Sequence, residues 1–403
     1  MVSRVYMDYA AASPVDPQVI DTMTPYYRDK FGNPSSLHSK GAEPRRAIME
    51  AREKVAELVG AKSSEIYFTS GGTESNNLAI KGVAYRNREK GNHIITTSIE
   101  HISNINICKD LTKDGFKISH LPVNRYGIVD PKRVEAEIGK NTILITLAHA
   151  NGEIGTIQPI KEIGKIAKEH DVPLHVDATP SIHQILTNVQ NENINLLTIS
   201  SNDMYGPKGM GALYVRQGTR IEPIIHGGGQ ETGLRSGSEN TPEIVGFGKA
   251  AQLARQRMSG DSSRLIRLRD SIIKGVLTNI AESYLNGNPE SRLPNNAHFR
   301  FSGIEGESLL LRLDEEGVSA ATGSACSSKT LEPSHVLMGI GLNEVEAHGS
   351  LVLTLGRENT KEDVDYLLNV IPNVVTRLRS LSPLWGKKLD LEIWKTEEAG
   401  HEH

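Results

Sequence analysis

The sequence predicts an α/β protein whose mostly parallel sheet is covered by helices on both faces. Short apolar runs recur through the first half of the chain with the length and β-branched content of buried strands: EIYFTS, HIITTS, FKISHLPV, TILITLAH, PLHVDA, LLTIS and GALYVR. Helical stretches lie between them, such as IKEIGKIAKEH, in which Ile160, Ile163 and Ile166 share one stripe. Alternation of strands and helices favours parallel strands with helical crossovers.

The first predicted helix is PRRAIMEAREKVAELVG, with Ile48, Val55 and Leu58 on one face and Gly60 as its end. Near residue 258 the pattern changes. An amphipathic helix, SRLIRLRDSIIKGVLTNI, is followed by the predicted strands FRFSG and SLVLTLG and by the long closing helix TKEDVDYLLNVIPNVVTRLRSL. We therefore predict a large α/β domain over residues 14–258. Residues 1–13 plus 259–403 would form a smaller α+β domain.

Composition narrows the functional classes. The chain has 403 residues, 37% of them hydrophobic and 23% charged, and a net charge of −4, so we expect no nucleic-acid partner. No apolar run has the length of a membrane span, and the amino terminus lacks a signal core. Two cysteines exclude a disulfide framework and indicate the reducing cytoplasm.

A glycine pair opens the first candidate site. Gly72 and Thr73, in TSGGTES, run from a strand into the helix NNLAIKGVAYR. Free backbone N–H groups and the positive end of the helix dipole at such a start suit a phosphate, and Thr73 adds a hydroxyl donor. The alternative is a tight turn with a Thr or Ser cap.

Two further candidates follow predicted strands. Asp177 ends PLHVDA, and in an open α/β sheet the carboxyl ends of the strands face the ligand crevice. A carboxylate there can pair with a pyridinium nitrogen, although helix caps and turns also use aspartate. His101 follows HIITTS and can stack on a flat ring or transfer protons, although a purely structural histidine is an open alternative.

The two cysteines differ in their surroundings. Cys326 lies among small residues in GSACSS, which is typical of a loop and of a reactive thiol. Cys108 has helical apolar neighbours and is predicted to pack as a small hydrophobic residue.

Together these motifs and their order resemble the cysteine desulfurases of the IscS/NifS type, a branch of the fold-type I pyridoxal-phosphate enzymes. The resemblance runs nearly end to end, through MDYAAASPVD, FGNPSSLHS, TSGGTESNNLAIKG, IEH, HANGEIGTIQ, HVDAT, MYGPKGMGALYVR, HGGGQETGLRSGSEN, GSACSS, LEPSHVL and TLGREN. It implies an aminotransferase-like fold of type I, with helices on both sides of the sheet, and a homodimer.

The resemblance also implies roles for matching positions. Gly72 and Thr73 would form the phosphate cup, which Ser200 and Ser238 would complete, Ser238 from the second subunit. His101 would stack on the cofactor ring, and Asp177 would pair with its nitrogen. For the substrate, the implied residues are Arg357, which would hold its carboxylate, and Cys326, which would receive sulfur as a persulfide.

Four positions depart from the family pattern on one side of the same site. Asp203 stands where the family has its Schiff-base lysine, and Asn202 replaces the neighbouring histidine. Gly152 and Pro180 replace an asparagine and a glutamine that contact the ring oxygen. A carboxylate has no nitrogen to bond the aldehyde. Its charge near the ring oxygen would cost on the order of 4 kcal/mol at about 4 Å and an effective dielectric of about 20.

These departures predict that pyridoxal phosphate is absent or only weakly and noncovalently bound, and that desulfurase turnover is lost or very weak. Lys208, in YGPKG, is not expected to replace the missing lysine. We expect Cys326 to accept sulfur or to ligate a nascent iron–sulfur cluster, of the 2Fe-2S type, shared with an IscU-like scaffold protein. The alternatives are an active desulfurase that gives L-alanine and a Cys326 persulfide, and a regulatory subunit that pairs with an active enzyme.

Overall fold

The computed structural model describes residues 4–323, 332–383 and 385. The strands in this part of the chain are β1 (Val5–Tyr6), β2 (Ile66–Thr69), β3 (His93–Thr97), β4 (Lys117–Leu121), β5 (Thr142–Ala148), β6 (Leu174–Asp177), β7 (Leu196–Ser200), β8 (Gly211–Val215), β9 (Ser283–Leu285), β10 (Asn296–Phe301), β11 (Val318–Ser319) and β12 (Ser350–Thr354). The α-helices are α1 (Pro17–Arg28), α2 (Ser39–Val59), α3 (Gly72–Asn87), α4 (Ile102–Lys113), α5 (Pro131–Glu137), α6 (Ile160–Glu169), α7 (Thr241–Asn279), α8 (Gly306–Glu315), α9 (His335–Gly339), α10 (Glu344–His348) and α11 (Lys361–Leu381).

Strands β2 to β8 form the main sheet in the order β2-β8-β7-β6-β5-β3-β4. Neighbours from β7 through β4 are parallel, whereas β8 runs antiparallel to both β2 and β7. All seven apolar runs that the sequence marked as strands lie in this sheet. Apolar clusters cover both of its faces. The predicted fold class, a mostly parallel sheet sandwiched by helices, is confirmed.

A second hydrophobic core lies beside the first. It joins β1, the antiparallel sheet β12-β10-β9, α8, α11 and the end of α7. Strand β1 pairs with β11, so the amino terminus packs with the carboxyl-terminal half of the chain. Thr360 caps the start of the closing helix α11, where its side chain and that of Asp363 form the expected capping box.

Helices α1 and α7 are two of those that differ from the sequence prediction. Helix α1 was missed; it precedes the helix taken as the first, and begins where the Asp16 carboxylate accepts a hydrogen bond from Gln18 N. The amphipathic helix predicted at 263–280 is the second half of α7, which runs 39 residues without a break. Its first half packs against α1 and α2 and is apolar on more than one side, so it lacks a clear stripe in the sequence.

The predicted domain division at residue 258 stays a prediction. Met258 belongs to the core of the main sheet and Leu265 to the second core, so the change of core along α7 supports a boundary between them. In the described ranges, none of the helices combines the length and the apolarity that crossing a bilayer requires.

Candidate functional site

The carboxyl ends of β2, β6 and β7 and the start of α3 form the candidate site. Gly71 precedes α3 with φ 143°, a conformation that favours glycine, and a side chain there would meet nothing within 4 Å. A Cβ added at Gly72 would lie 3.0 Å from Thr179 Oγ1, a buried hydroxyl without a hydrogen-bond partner in the described structure. Open backbone N–H groups and a free hydroxyl therefore meet at the start of α3, as a phosphate cup requires.

Asp177 lies at the end of β6 and is 4% exposed. Its Oδ2 accepts a hydrogen bond of 2.7 Å from Asn76 Nδ2, and its Oδ1 accepts one of 3.0 Å from Thr179 N. The Asn76 amide also reaches Ser103 Oγ at 3.3 Å, and that hydroxyl lies 2.7 Å from His101 Nδ1. A hydrogen-bonded chain thus joins two residues proposed from sequence, Asp177 and exposed His101, through two that the sequence reading missed.

Glu100 is a third missed residue. It is 2% exposed, and its carboxylate accepts hydrogen bonds from Thr97 Oγ1 at 2.5 Å and Ala148 N at 2.8 Å. Burial raises the pKa of Glu100 to about 7, against the opposing hydrogen bond from Thr97 and with a smaller contribution from the Asp177 charge. The only sequence signal was an acid directly before His101.

Asp203 lies in the 3-10 turn Asn202–Met204 that follows β7. Burial raises the pKa of its carboxyl to about 7; a hydrogen bond from Ser200 opposes this rise and the Asp177 charge adds to it. Near neutral pH the group is therefore partly protonated. The repulsion expected from a fully charged aspartate is correspondingly weaker. In the described ranges no lysine or arginine forms an ion pair with Asp203, Asp177 or Glu100.

The other departures lie together, as the sequence suggested. A Cβ added at Gly152 would make an ordinary contact of 3.5 Å with Pro180 Cβ, so these two positions face each other. In the turn after β7, Ser201 Oγ and Asn202 Oδ1 are buried without a hydrogen-bond partner in the described structure. The turn that carries Asp203 therefore keeps polar atoms that the described part of the chain does not satisfy.

Arg357, proposed to hold a substrate carboxylate, is itself held by carboxylates. Its Nε lies 2.8 Å from Asp261 Oδ2 and its Nη1 lies 3.5 Å from Asp16 Oδ2. The guanidinium sits 4.2 Å from the centre of the Tyr205 ring. These contacts fix its orientation. Sequence reasoning had no signal for the two acids because they lie far away along the chain.

The remaining predicted residues have mixed outcomes. Ser200 is buried at the end of β7, whereas Thr73 and Ser238 are exposed. Lys208 donates a hydrogen bond of 3.1 Å to Ser13 O, and no described contact brings it to Asp177 or Asp203.

Cys326 lies outside the described residues. Cys108 is fully buried, which confirms that it packs as a small hydrophobic residue, and burial raises the pKa of its thiol to about 12.

The pyridoxal-phosphate group that the resemblance implies fits one half of this site. The start of α3 and the Thr179 hydroxyl suit its phosphate, and Asp177, oriented by Asn76, suits its ring nitrogen. The resemblance expects the aldehyde to meet the residue at position 203, where Asp203 offers a carboxyl group instead of an amine, so this half does not fit.

The sequence is similar to a known protein family and to named proteins. Residues 5–367 match the family described as aminotransferase class-V. The chain is 59% identical over 382 residues to "Cysteine desulfurase IscS 1" of Archaeoglobus fulgidus, a match that covers 95% of this chain and 100% of the relative. It is 52% identical to "Cysteine desulfurase IscS" of Dictyoglomus turgidum, with 95% and 97% covered.

Solved structures show the same likeness. A "NIFS-LIKE PROTEIN" superposes with a TM-score of 0.88 at 36% identity, covering 93% of this chain and 100% of that one. "SspA in complex with cysteine" superposes with a TM-score of 0.78 at 39% identity, covering 87% and 98%.

Proposed function

Because the chain belongs to the class-V aminotransferase family and, within it, to the IscS- and NifS-like cysteine desulfurases, we propose that it handles sulfur for iron–sulfur cluster assembly without efficient turnover of cysteine. The relatives' names support the sulfur chemistry and, through the name IscS, the assembly of iron–sulfur clusters. One observation carries the loss of turnover. Asp203 occupies the position that the family resemblance gives to the cofactor lysine.

Pyridoxal phosphate, when bound, supplies an electron sink for bonds at the α-carbon of an amino acid. In this chain α3 and Thr179 would hold its phosphate, Asp177 would hold a proton on its ring nitrogen, and His101 would cover its face. The lysine of such enzymes both bonds the aldehyde and moves a proton at the α-carbon. Asp203 cannot form the bond, and no described ion pair or hydrogen bond places another lysine beside it.

The thiol of Cys326 would then be the working group. It attacks the outer sulfur of a donor persulfide and becomes a persulfide itself as the donor's thiolate leaves, or it supplies one ligand to a nascent 2Fe-2S cluster whose other ligands come from an IscU-like scaffold. Iron–sulfur clusters need about four such ligands, and the chain has two cysteines, of which Cys108 is buried. A scaffold partner is therefore required. We propose a homodimer, with Ser238 of each subunit serving the other's phosphate cup.

The relatives' names favour a second candidate, an active desulfurase that gives L-alanine and a Cys326 persulfide. Cysteine turnover after reconstitution with pyridoxal phosphate separates the two. We expect no more alanine and sulfide from the reconstituted protein than from cofactor and cysteine alone. Alanine released over many catalytic cycles would exclude our version and establish the second candidate.

The role of Cys326 has its own test. Anaerobic co-purification with an IscU-like scaffold should give a brown complex, and Cys326→Ala should remove or shift its cluster absorbance. Cys108→Ala is the matched control, because that thiol is buried in α4. An unchanged spectrum and complex stability in Cys326→Ala would contradict the ligand role.

A further inference from the structure

The carboxyl group of Asp203 bears on which phosphorylated pyridine the site binds. We infer that this site binds the amine form of the cofactor, pyridoxamine 5′-phosphate, in preference to the aldehyde form, with the Asp203 carboxylate as the partner of the ligand's ammonium group. This inference uses the proposed function only to identify the site as one for a phosphorylated pyridine. It requires no turnover of cysteine and no cluster.

The phosphate end of the site accepts both forms equally. Gly71 and Gly72 expose the start of α3, a helix of 16 residues, and the unpartnered Thr179 Oγ1 lies 3.0 Å from the Cβ position of Gly72. The close approach of the neighbouring strand keeps this loop in place, since a Cβ added at Gly211 would lie 2.7 Å from Gly71 Cα. These groups contact only the phosphate and cannot distinguish an amine from an aldehyde.

The part of the site that would bind the ring nitrogen also does not distinguish the two forms of the cofactor. Asp177 is held by Asn76 and by Thr179 N. Both cofactor forms have the same pyridine nitrogen, so both gain the same contact with the Asp177 carboxylate.

The part of the site that carries Asp203 can distinguish the amine form from the aldehyde form by charge. Asp177 ends β6, and its register partner Thr198 lies two residues before Ser200, the residue that hydrogen-bonds the Asp203 carboxyl. The Asp177 charge adds to the effect of burial in raising the pKa of Asp203, and in the described ranges no basic side chain forms an ion pair with either carboxyl group. A primary amine carries a positive charge at neutral pH, whereas an aldehyde carries none.

The aldehyde form has nothing to gain at this end. In a lysine-bearing site it would form a covalent bond, and Asp203 cannot supply the nitrogen for that bond. The amine form instead gains a charge-assisted hydrogen bond in a partly buried place, which is among the stronger polar contacts in proteins. Burial raises the pKa of Asp203 to about 7, so at pH 8 most of the carboxyl is ionised and ready for a cation.

Titration of the full-length protein at pH 8 with three phosphorylated pyridines tests the inference. Pyridoxamine 5′-phosphate carries the ammonium, pyridoxine 5′-phosphate carries a neutral hydroxyl at the same position, and pyridoxal 5′-phosphate carries the aldehyde. Isothermal calorimetry should give a dissociation constant for the amine about tenfold lower than for the hydroxyl form, as expected for one hydrogen bond to a charged group. The aldehyde should bind no more tightly than the hydroxyl form.

Asp203→Asn is the decisive variant, since it removes the charge and keeps the shape. We expect the preference for the amine to fall to within about twofold, while measurable binding of pyridoxine 5′-phosphate serves as the internal check on folding. Asp365→Asn, at an exposed pair with Lys361, is the control and should keep the full preference. Equal affinities in the wild type, tighter binding of the aldehyde, no binding of any of the three, or an undiminished preference in Asp203→Asn would each overturn the inference.

The outcome of this titration is distinguishable from the outcomes that test the proposed function. Loss of cluster absorbance in Cys326→Ala is read without any pyridine ligand, and cysteine turnover is read with the aldehyde form. A preference for the amine can therefore hold where the cluster role fails, or fail where the cluster role holds.

Discussion

The two halves of the candidate site differ in how well hydrogen bonds orient their polar groups. At the half that suits a phosphate and a ring nitrogen, Asp177, Asn76, Ser103 and His101 form one hydrogen-bonded chain. At the other half, burial and the Asp177 charge raise the pKa of Asp203, and Ser201 Oγ and Asn202 Oδ1 are buried without partners in the described structure. The first half is oriented by the protein itself, whereas the second half is left in need of a ligand or a counter-charge.

The comparison teaches that one chemical change does not dismantle a whole site. The groups that hold a phosphate are backbone N–H groups and small hydroxyls, which depend on the fold and persist as long as α3 begins where it does. Covalent attachment depends on a single amine, so one substitution removes it. Three predictions test how separate these two halves are.

The largest expected effect is a gain of covalent cofactor. Asp203→Lys should convert a protein that loses pyridoxal phosphate on dialysis into one that retains a visible absorbance, in part of the molecules. Retention should increase further in Asp203→Lys combined with Gly152→Asn, which restores the asparagine of the family pattern. The site can accept this side chain, because a Cβ at Gly152 makes only an ordinary 3.5 Å contact with Pro180. Asp365→Lys, on the surface, is the control. If the wild type already retains the cofactor, the two halves are not separate.

A smaller effect concerns stability and pH. The pKa of Glu100 is raised from 4.5 to about 7 in the folded protein. Between these values the unfolded chain releases the proton while the folded protein keeps it, so stability contributed by Glu100 is full below pH 4.5 and is lost as pH rises to 7. The loss is at most about 3 kcal/mol.

Glu100→Gln cannot ionise at this position. As pH rises from 4.5 to 7, its free energy of unfolding should therefore increase relative to that of the wild type, and above pH 7 the difference between the two proteins should stay constant. Urea denaturation at a series of pH values measures this difference and cancels the contribution of the buried histidines. A difference that does not change with pH would show that Glu100 ionises as an ordinary exposed carboxyl group does.

The smallest effect concerns the completed half. Asn76→Ala removes the donor to Asp177 Oδ2, a buried acceptor, and should cost about 1–3 kcal/mol in free energy of unfolding. Asn77→Ala, one position along the same helix, loses only a more exposed hydrogen bond to Thr73 O and should change stability by about 0.5 kcal/mol or less. Equal costs at the two positions would mean that the chain from Asp177 to His101 is not a special feature of this half.

Sequence patterns predicted the strands better than the helices. Buried strands such as PLHVDA and LLTIS are short apolar runs between turns, and each was found as a strand of the main sheet. Helix α1 was missed because it buries only Val19 and Met23, which is too short an apolar stripe to stand out. Helix α7 was recognised only in its second half, because burial of its first half on several sides removes the periodic signal. Gly60 ends α2 as expected, with φ 69°.

By itself the sequence determined the fold class, the strand ends that carry Asp177 and Ser200, and the presence of a carboxyl group at position 203. These follow from local periodicity and from motif order, which are written in neighbouring residues. Only the tertiary structure decided that Asn76 orients Asp177, that Asp261 and Asp16 hold Arg357, and that Asp203 keeps its proton up to a pH near 7. Burial and charge proximity cause these effects, and both depend on residues that are distant in the chain and meet only when it folds.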